Sequence, residues 1–309
     1  MNHVFGPVYS RRLSKSLGID LVPFKTCTQD CVYCQLGPTT CKSLERGSFC
    51  NVGEVITELK QKLEKVSPDF ITLAGSGEPT LCKELGEVIS EIKKITSIPV
   101  AVLTNGLLLF QLDVRKDLIQ ADIVCPSLDA GNDYTFQKVN QPISTIDFET
   151  FLNGLIQFRR EYHGQIWLEV LLVRGITDTQ EEVVRIAQCA AQINPDRIHL
   201  NTVTRPPADT SVTGLTFSEL EVFASLFTPT AEVIAEYPTV SEVITSVKDI
   251  QQEDILDVVQ RHPCSLPELS AALNVSEETI KPVLKDLIYQ EKVEVFNIRG
   301  RELFRYKNK

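Results

Sequence analysis

Apolar runs of four to nine residues alternate with longer amphipathic stretches along most of the chain. Gly18–Phe24 (GIDLVPF) predicts a strand that opens into a loop. Val52–Lys65 repeats its apolar positions at helical spacing, so a helix is expected there. Asp69–Ala74 predicts a short strand ending in Gly-Ser-Gly-Glu-Pro-Thr, followed by a helix over Leu81–Ile95. The same alternation continues through Val100–Leu103 (strand), Val114–Gln120 (helix), Asp122–Leu128 (strand) and Thr145–Tyr162 (helix). It ends with Gln165–Val173 (strand), Thr179–Ile193 (helix), Asp196–Val203 (strand) and Phe217–Phe227 (helix).

Strands that are apolar along their whole length are buried on both faces, and intervening helices supply the cover. Right-handed crossovers curl such a sheet the same way at each step. Six units are too few to close an eight-stranded barrel. The expected fold is therefore α/β, a partial, open (βα)6 TIM-like barrel, with a flat doubly wound sheet as the alternative. In both, the loops after the strand C-termini form the site.

Pro238–Gln252 reads as a connector, and the pattern then changes. Helices are expected at Glu253–His262, Ser265–Leu273 and Glu277–Gln290, with Ser265 and Glu268 spaced as a capping box. Pro282 predicts a start of the third helix after Lys281, or a bend. Strands at Val293–Ile298 and Glu302–Tyr306 follow, joined by Arg299-Gly300-Arg301. Helix, helix-turn-helix and hairpin in that order predict a winged helix. The organisation expected is a barrel over 1–237, a linker over 238–250 and a small winged helix-turn-helix domain over 251–309.

Composition narrows the class. Of 309 residues 43% are hydrophobic and 23% charged, so a sizeable core is available and disorder is excluded. No apolar run spans a membrane. The opening MNHVFGPVYSRRLSK lacks the apolar core of a secretory leader, which predicts a cytoplasmic protein. A net charge of −10 argues against a general nucleic-acid coat protein. The nine cysteines are then reduced thiols serving as ligands, nucleophiles or small apolar residues.

Three of those cysteines are tightly clustered: Cys27, Cys31 and Cys34, spelling C-x3-C-x2-C after the first strand. Three thiolates can hold three irons of a cubane and leave the fourth iron open to a ligand. The same spacing suits one face of a helix, or a zinc site completed by histidine. Cys41 and Cys50 lie downstream, but their separation matches no tight ligand set for a second cluster.

With Tyr33 ahead of the last cysteine and Gly75-Ser76-Gly77-Glu78-Pro79 after the second strand, the sequence resembles the radical S-adenosylmethionine (radical SAM) superfamily. That resemblance implies a [4Fe-4S] cluster on Cys27, Cys31 and Cys34 whose fourth iron chelates S-adenosylmethionine. Reductive cleavage would yield a 5′-deoxyadenosyl radical that abstracts hydrogen from a substrate. An electron donor such as flavodoxin or ferredoxin is implied with it. The segments FGPVYSRRLSKSLGIDLVPFKTC, LAGSGEPTL and LNTVTRPP further resemble a branch related to the wyosine-type tRNA-modifying synthases. Those synthases carry extra cysteines upstream; here none precedes Cys27, so their pyruvate step is not implied.

The loops then take expected roles. Gly75, Ser76, Gly77, Glu78 and Pro79 would receive the methionine end of the cofactor, with Tyr33, Thr104 and Asn105 nearby. Ser127 and Asp129 would bond the ribose, or form a turn before Gly131. Glu169 lies in an apolar strand and needs a partner; Arg174 would supply one, or hold the cofactor carboxylate. His199 and Asn201 share a face by the period of two. Arg11, Arg12 and Lys15 precede the first strand and Arg205 leaves the last, which suits an anionic substrate such as a nucleotide or RNA. The tail from Gln251 carries nine basic and ten acidic residues. Its third helix is acidic, and its hairpin holds Arg299, Arg301, Arg305, Lys307 and Lys309 against Glu302. Contact with nucleic acid, docking of a protein and capping of a substrate all remain open for it. The competing functional classes are an iron–sulfur redox-sensing transcriptional regulator acting through the winged helix, and a zinc-stabilised binding protein.

Overall fold

A computed structural model describes residues 3–10, 12–234, 250–298 and 300–307. The strands are β1 (Val4–Ser10), β2 (Ser14–Ile19), β3 (Thr26–Cys27), β4 (Cys41–Lys42), β5 (Phe70–Leu73) and β6 (Val100–Thr104). They continue as β7 (Ile123–Pro126), β8 (Gln165–Leu172), β9 (Arg197–Thr202), β10 (Glu232–Val233), β11 (Val293–Ile298) and β12 (Arg301–Tyr306). The α-helices are α1 (Val52–Leu63), α2 (Leu85–Ile95), α3 (Leu112–Leu118), α4 (Asp133–Val139) and α5 (Phe148–Glu161). After them come α6 (Gln180–Ile193), α7 (Phe217–Ala224), α8 (Gln252–Arg261), α9 (Leu266–Leu273) and α10 (Glu277–Tyr289).

The main sheet runs β1-β2-β5-β6-β7-β8-β9-β10. Every neighbouring pair from β2 onward is parallel, and β1 is antiparallel on the outer edge of β2. The strand order never reverses, so the crevice that defines a doubly wound sheet is missing and that alternative falls away. Six of these parallel strands are the expected ones; β1 and the short β10 are additional. The first expected strand, Gly18–Phe24, starts earlier and stops at Ile19. Helix α4 is a further addition, and α2 begins at Leu85 after a 3-10 turn at Pro79–Leu81.

Period-two alternation divides the strands between two interiors. Val100, Val102, Val124, Ile166, Leu168 and Val170 pack into the large core beneath the helices. Ala101, Ile123, Cys125 and Trp167 point the other way and, with Leu13, form a second apolar cluster on the concave side. Each fully buried side chain of this kind contributes about 1.5–3 kcal/mol relative to exposure. The helices match: in α6, Val183, Ile186, Ala190 and Ile193 are buried at helical spacing, and Thr179 caps the amide of Glu182 at 3.2 Å.

The C-terminal unit follows in the expected element order. Helices α8–α10 and the β11–β12 hairpin surround their own core of Ile255, Val259, Leu269, Ile280, Leu284, Leu287 and Phe304. The Ser265–Glu268 capping box is present, with Glu268 accepting from the Ser265 amide at 2.7 Å and its hydroxyl at 2.8 Å. Helix α10 starts at Glu277, capped by Ser276, and runs through Pro282, so the start expected after Lys281 is corrected. The unit packs against the barrel through α9 on β1. Arg261 meets Asp20 at 3.1 Å, both nearly inaccessible at 2% and 1%. Arg305 donates to the carbonyls of Pro206 and Pro207 at 3.2 and 3.3 Å. Most of the expected linker, Arg11, Arg299 and Lys309 lie outside the described residues.

Candidate active site

The cysteine loop leaves β3 and turns back at Cys31–Cys34, where the Cys34 amide donates to the Cys31 carbonyl at 3.0 Å. Each of the three sulfurs accepts a nitrogen donor from a different part of the chain. Lys25 Nζ lies 3.2 Å from Cys34 Sγ, Asn105 Nδ2 3.4 Å from Cys27 Sγ, and Asn140 Nδ2 3.5 Å from Cys31 Sγ. Burial, with the charge of Glu78 adding to it, pushes the Cys27 thiol up to about 12. Burial and neighbouring thiols raise Cys31 in the same direction. Such thiols ionise when a bound cation supplies the missing positive charge.

The Gly75–Pro79 turn is built for close approach. A Cβ on Gly75 would come within 2.4 Å of Asp20 Cγ, and one on Gly77 within 2.0 Å of the Thr26 carbonyl. Ser76 is buried; its hydroxyl donates to Asp20 Oδ2, and its carbonyl accepts from the Lys25 amide at 2.6 Å. Glu78 is buried and engaged by the protein. Its carboxylate accepts from Thr80 N at 3.1 Å, Thr80 Oγ1 at 2.6 Å, Thr104 Oγ1 at 2.6 Å and Asn105 N at 2.7 Å. Burial raises its pKa while these donors oppose the rise. Glu78 thereby ties the turn after β5 to the tip after β6 and aims Asn105 at Cys27. Pro79 opens the 3-10 turn.

Tyr33 reaches across the loop and donates its hydroxyl to Asp129. Asp129 also accepts from Asn140 Nδ2 at 2.8 Å and Leu171 N at 2.9 Å, and burial lifts it to about 6. Ser127 pairs with Glu169 as an isolated parallel bridge just beyond β7. On the concave face Glu169 forms an ion pair with Arg12 and accepts from Asn201 Nδ2 at 3.0 Å. Its partner is therefore Arg12 rather than Arg174. The Arg174 guanidinium is exposed and holds Glu219 at 3.1 and 2.6 Å. His199 is buried edge-on to Trp167, and burial followed by the Arg12 charge depresses it to about 4.

Two cavities of ≈ 280 and ≈ 240 Å³ meet at Arg12, Gln35 and Arg205. The first reaches Thr72, Gly75, Gly77, Arg261 and His262, and the second reaches Tyr33, Cys34, Glu169 and Asn201. The Thr72 hydroxyl is buried in the first wall without a partner, as expected of a surface that a polar ligand completes. Lys25, Gln35, Asn140 and Arg261 were not among the expected residues. Gln35 adjoins a motif cysteine, whereas Asn140 follows the unexpected helix α4 and carried no local signal.

An open parallel barrel with three cysteines at the strand C-termini defines a class, and the comparisons agree. The profile of the radical SAM superfamily matches residues 21–187, so the chain belongs to that superfamily. Membership implies an enzyme whose cofactors are S-adenosylmethionine and an iron–sulfur cluster. A UPF0026 protein of Methanocaldococcus jannaschii is 30% identical over 93% of this chain and 91% of its own length. A Brachyspira hyodysenteriae protein named GTPase Obg is 42% identical over 96% of this chain, which spans 44% of that protein. Among solved structures, Streptococcus suis SuiB bound to S-adenosylmethionine superposes with a TM-score of 0.52 at 12% identity, covering 67% of this chain and 46% of SuiB. No helix among the described residues is long and apolar enough to cross a membrane.

Proposed function

We propose that Cys27, Cys31 and Cys34 ligate a [4Fe-4S] cluster and that the adjoining cavities receive S-adenosylmethionine and an anionic substrate of nucleotide size. The observation that carries this reading is the set of three cysteines, each sulfur with its own nitrogen donor, of which Cys34 lines the cavity that adjoins, at Arg12, Gln35 and Arg205, the one lined by Gly75 and Gly77. When bound, the two cofactors together supply a 5′-deoxyadenosyl radical for hydrogen abstraction. The protein's own contribution is position and exclusion of water. Lys25, Asn105 and Asn140 fix the thiolates and spread their charge. Tyr33 and Asp129 hold the loop against the end of β7. The bare backbone around Gly75 and Gly77 gives the cofactor room, and Thr72 offers an unused hydroxyl.

Arg12 and Arg205 stand where the two cavities join, and they are the polar contacts proposed for the substrate. Arg12 is already balanced by Glu169 and Arg205 by Glu268, so the site is not a bare cationic funnel. That favours a nucleotide or small acid over recognition by charge alone. The C-terminal unit, proposed as a winged helix, closes this space, since Arg261 and His262 line the first cavity. The GTPase name of the Brachyspira relative is not carried over. No glycine in this sequence is followed by lysine, so the phosphate loop of P-loop GTPases is absent from it.

Anaerobic reconstitution tests the reading. Cys31→Ala should lose the iron–sulfur absorbance and the release of 5′-deoxyadenosine under reductant. Retention of both would refute the ligand assignment.

A further inference from the structure

A second group of metal-binding side chains lies outside this site. Cys50, Cys82 and Glu84 place two sulfurs and a carboxylate oxygen within 4.8 Å of one another. Cys50 Sγ and Cys82 Sγ are 3.8 Å apart, and Cys82 Sγ lies 3.2 Å from Glu84 Oε2. Two sulfurs each about 2.3 Å from a tetrahedral ion are about 3.8 Å apart, and a sulfur–oxygen edge is about 3.5 Å. We propose that Cys50, Cys82 and Glu84 form a binding site for one thiophilic divalent cation of the zinc type, with the fourth position left to water.

The surroundings are prepared for such an ion. Cys50 immediately precedes Asn51, the N-cap of α1, and Glu84 is the N-cap of α2. Both residues thus sit on segments fixed at helix starts. The opposite oxygen of Glu84 accepts the Ser48 hydroxyl, which orients the carboxylate as an outer partner does in metal sites. The backbone is already held. Gly47 N donates to Leu81 O and Lys83 N to Gly47 O, both at 2.9 Å, and Arg46 reaches the carbonyls of Thr80 and Cys82 at 2.9 Å. Binding releases the two thiol protons to solvent and involves no change of oxidation state. The ion would fasten the segment that leaves the cysteine loop to the segment that follows the Gly75–Pro79 turn. Cys50 therefore belongs with Cys82, 32 residues away, rather than with Cys41.

Cobalt reports thiolate ligation directly. Full-length protein with Cys27, Cys31 and Cys34 changed to serine is titrated anaerobically with Co2+. One equivalent should give sulfur-to-cobalt charge transfer and the visible bands of a tetrahedral ion, both displaced by Zn2+. Cys50→Ser on that background should abolish the charge transfer. Glu84→Gln, which removes a direct ligand, should keep it while weakening affinity by more than the roughly tenfold that losing an outer partner costs. Ser48→Ala should weaken binding by about that tenfold. Metal analysis of the cluster-loaded wild type gives an independent readout, with one zinc per chain expected beyond the iron. Three results would each overturn the proposal. They are no cobalt binding to the background protein, an unchanged spectrum in Cys50→Ser, and a Cys50–Cys82 disulfide protein that takes no metal after re-reduction.

Discussion

Replacing Arg261 by Met probes how the C-terminal unit is held over the barrel. Arg261 Nε donates to Asp20 Oδ2 at 3.1 Å, and the two side chains are 2% and 1% exposed. Removing one partner of a buried pair costs about 3–5 kcal/mol, because the remaining charge keeps its desolvation penalty. Asp20 Oδ2 would retain the Ser76 hydroxyl, while Oδ1 is buried with no partner already. The lower end, about 3 kcal/mol, is therefore expected, a factor of roughly 150 in the docked equilibrium. Arg261 also donates to the Asp257 carbonyl at 3.1 Å and lies 5.3 Å over the Phe5 ring, and both contacts vanish with it. Asp20→Asn added to Arg261→Met removes the stranded charge without restoring those contacts. The difference between single and double variants thus isolates the charge itself. Urea unfolding should show the single variant about 3 kcal/mol less stable and the double variant recovering at least half. A loss under about 1 kcal/mol, or a double variant no better than the single, would show that the pair does not fasten the unit.

Two further outcomes are expected. His199 has a folded pKa of about 4 against an ordinary 6.5, so the unfolded chain takes up a proton first as pH falls. Its stabilisation is complete above about pH 6.5 and lost towards pH 4, by about 3 kcal/mol; thermal melts across that window should flatten in His199→Gln, and an unchanged slope contradicts the assignment. Asn105→Asp keeps the acceptor for the Leu107 amide, 2.9 Å away, but loses the N–H to Cys27 and adds negative charge. The iron–sulfur reduction potential, read by redox titration with EPR, should fall, and a potential equal to or above wild type removes Asn105 from the role given to it.

The barrel strands were legible because burial on both faces leaves an unbroken apolar run, as in Ile166–Leu168 and Val100–Leu103. β1 was not, since Val4–Ser10 contains Gly6, Pro7 and polar positions and pairs at an edge where one side needs no apolar cover. Helix α4 has seven residues, too few to show a periodicity. At the site, the cysteine spacing is local and could be read directly. The donors to those sulfurs come from positions 25, 105 and 140, and only tertiary structure assembles them. The Glu169–Arg12 pair joins residues 157 apart in sequence, whereas Arg174 is only five positions from Glu169, so local sequence favours the wrong arginine. Asn105 was expected near the cofactor. Its bond to Glu78, and through that to Thr80 and Thr104, shows why a turn and a loop tip from adjacent strands act as one unit.

The described cations of the C-terminal unit bear on whether its hairpin is available to nucleic acid. Binding a phosphate backbone requires cations that can exchange bound counterions for phosphates. Here Arg301 donates to Ser265 at 3.2 Å and lies 3.7 Å from Glu268, while Lys307 meets Glu291 at 3.2 Å. Arg305 pairs with Glu294 at 2.8 Å, stacks 4.4 Å over Phe296 and extends to the carbonyls that follow β9. Lys281 on α10 lies 3.7 Å from Glu277 of its own helix. Pulling Arg305 away from Glu294 and the two carbonyls would forfeit bonds to a charged group worth about 1.5–3 kcal/mol each, whereas the exposed Lys281 and Lys307 pairs are worth at most about 1 kcal/mol. Arg261 and Arg305 of the unit and the reciprocal Arg205 of the barrel all cross the seam between them. Among the described residues, the hairpin cations Arg301, Arg305 and Lys307 are thus engaged in internal pairs or at the seam.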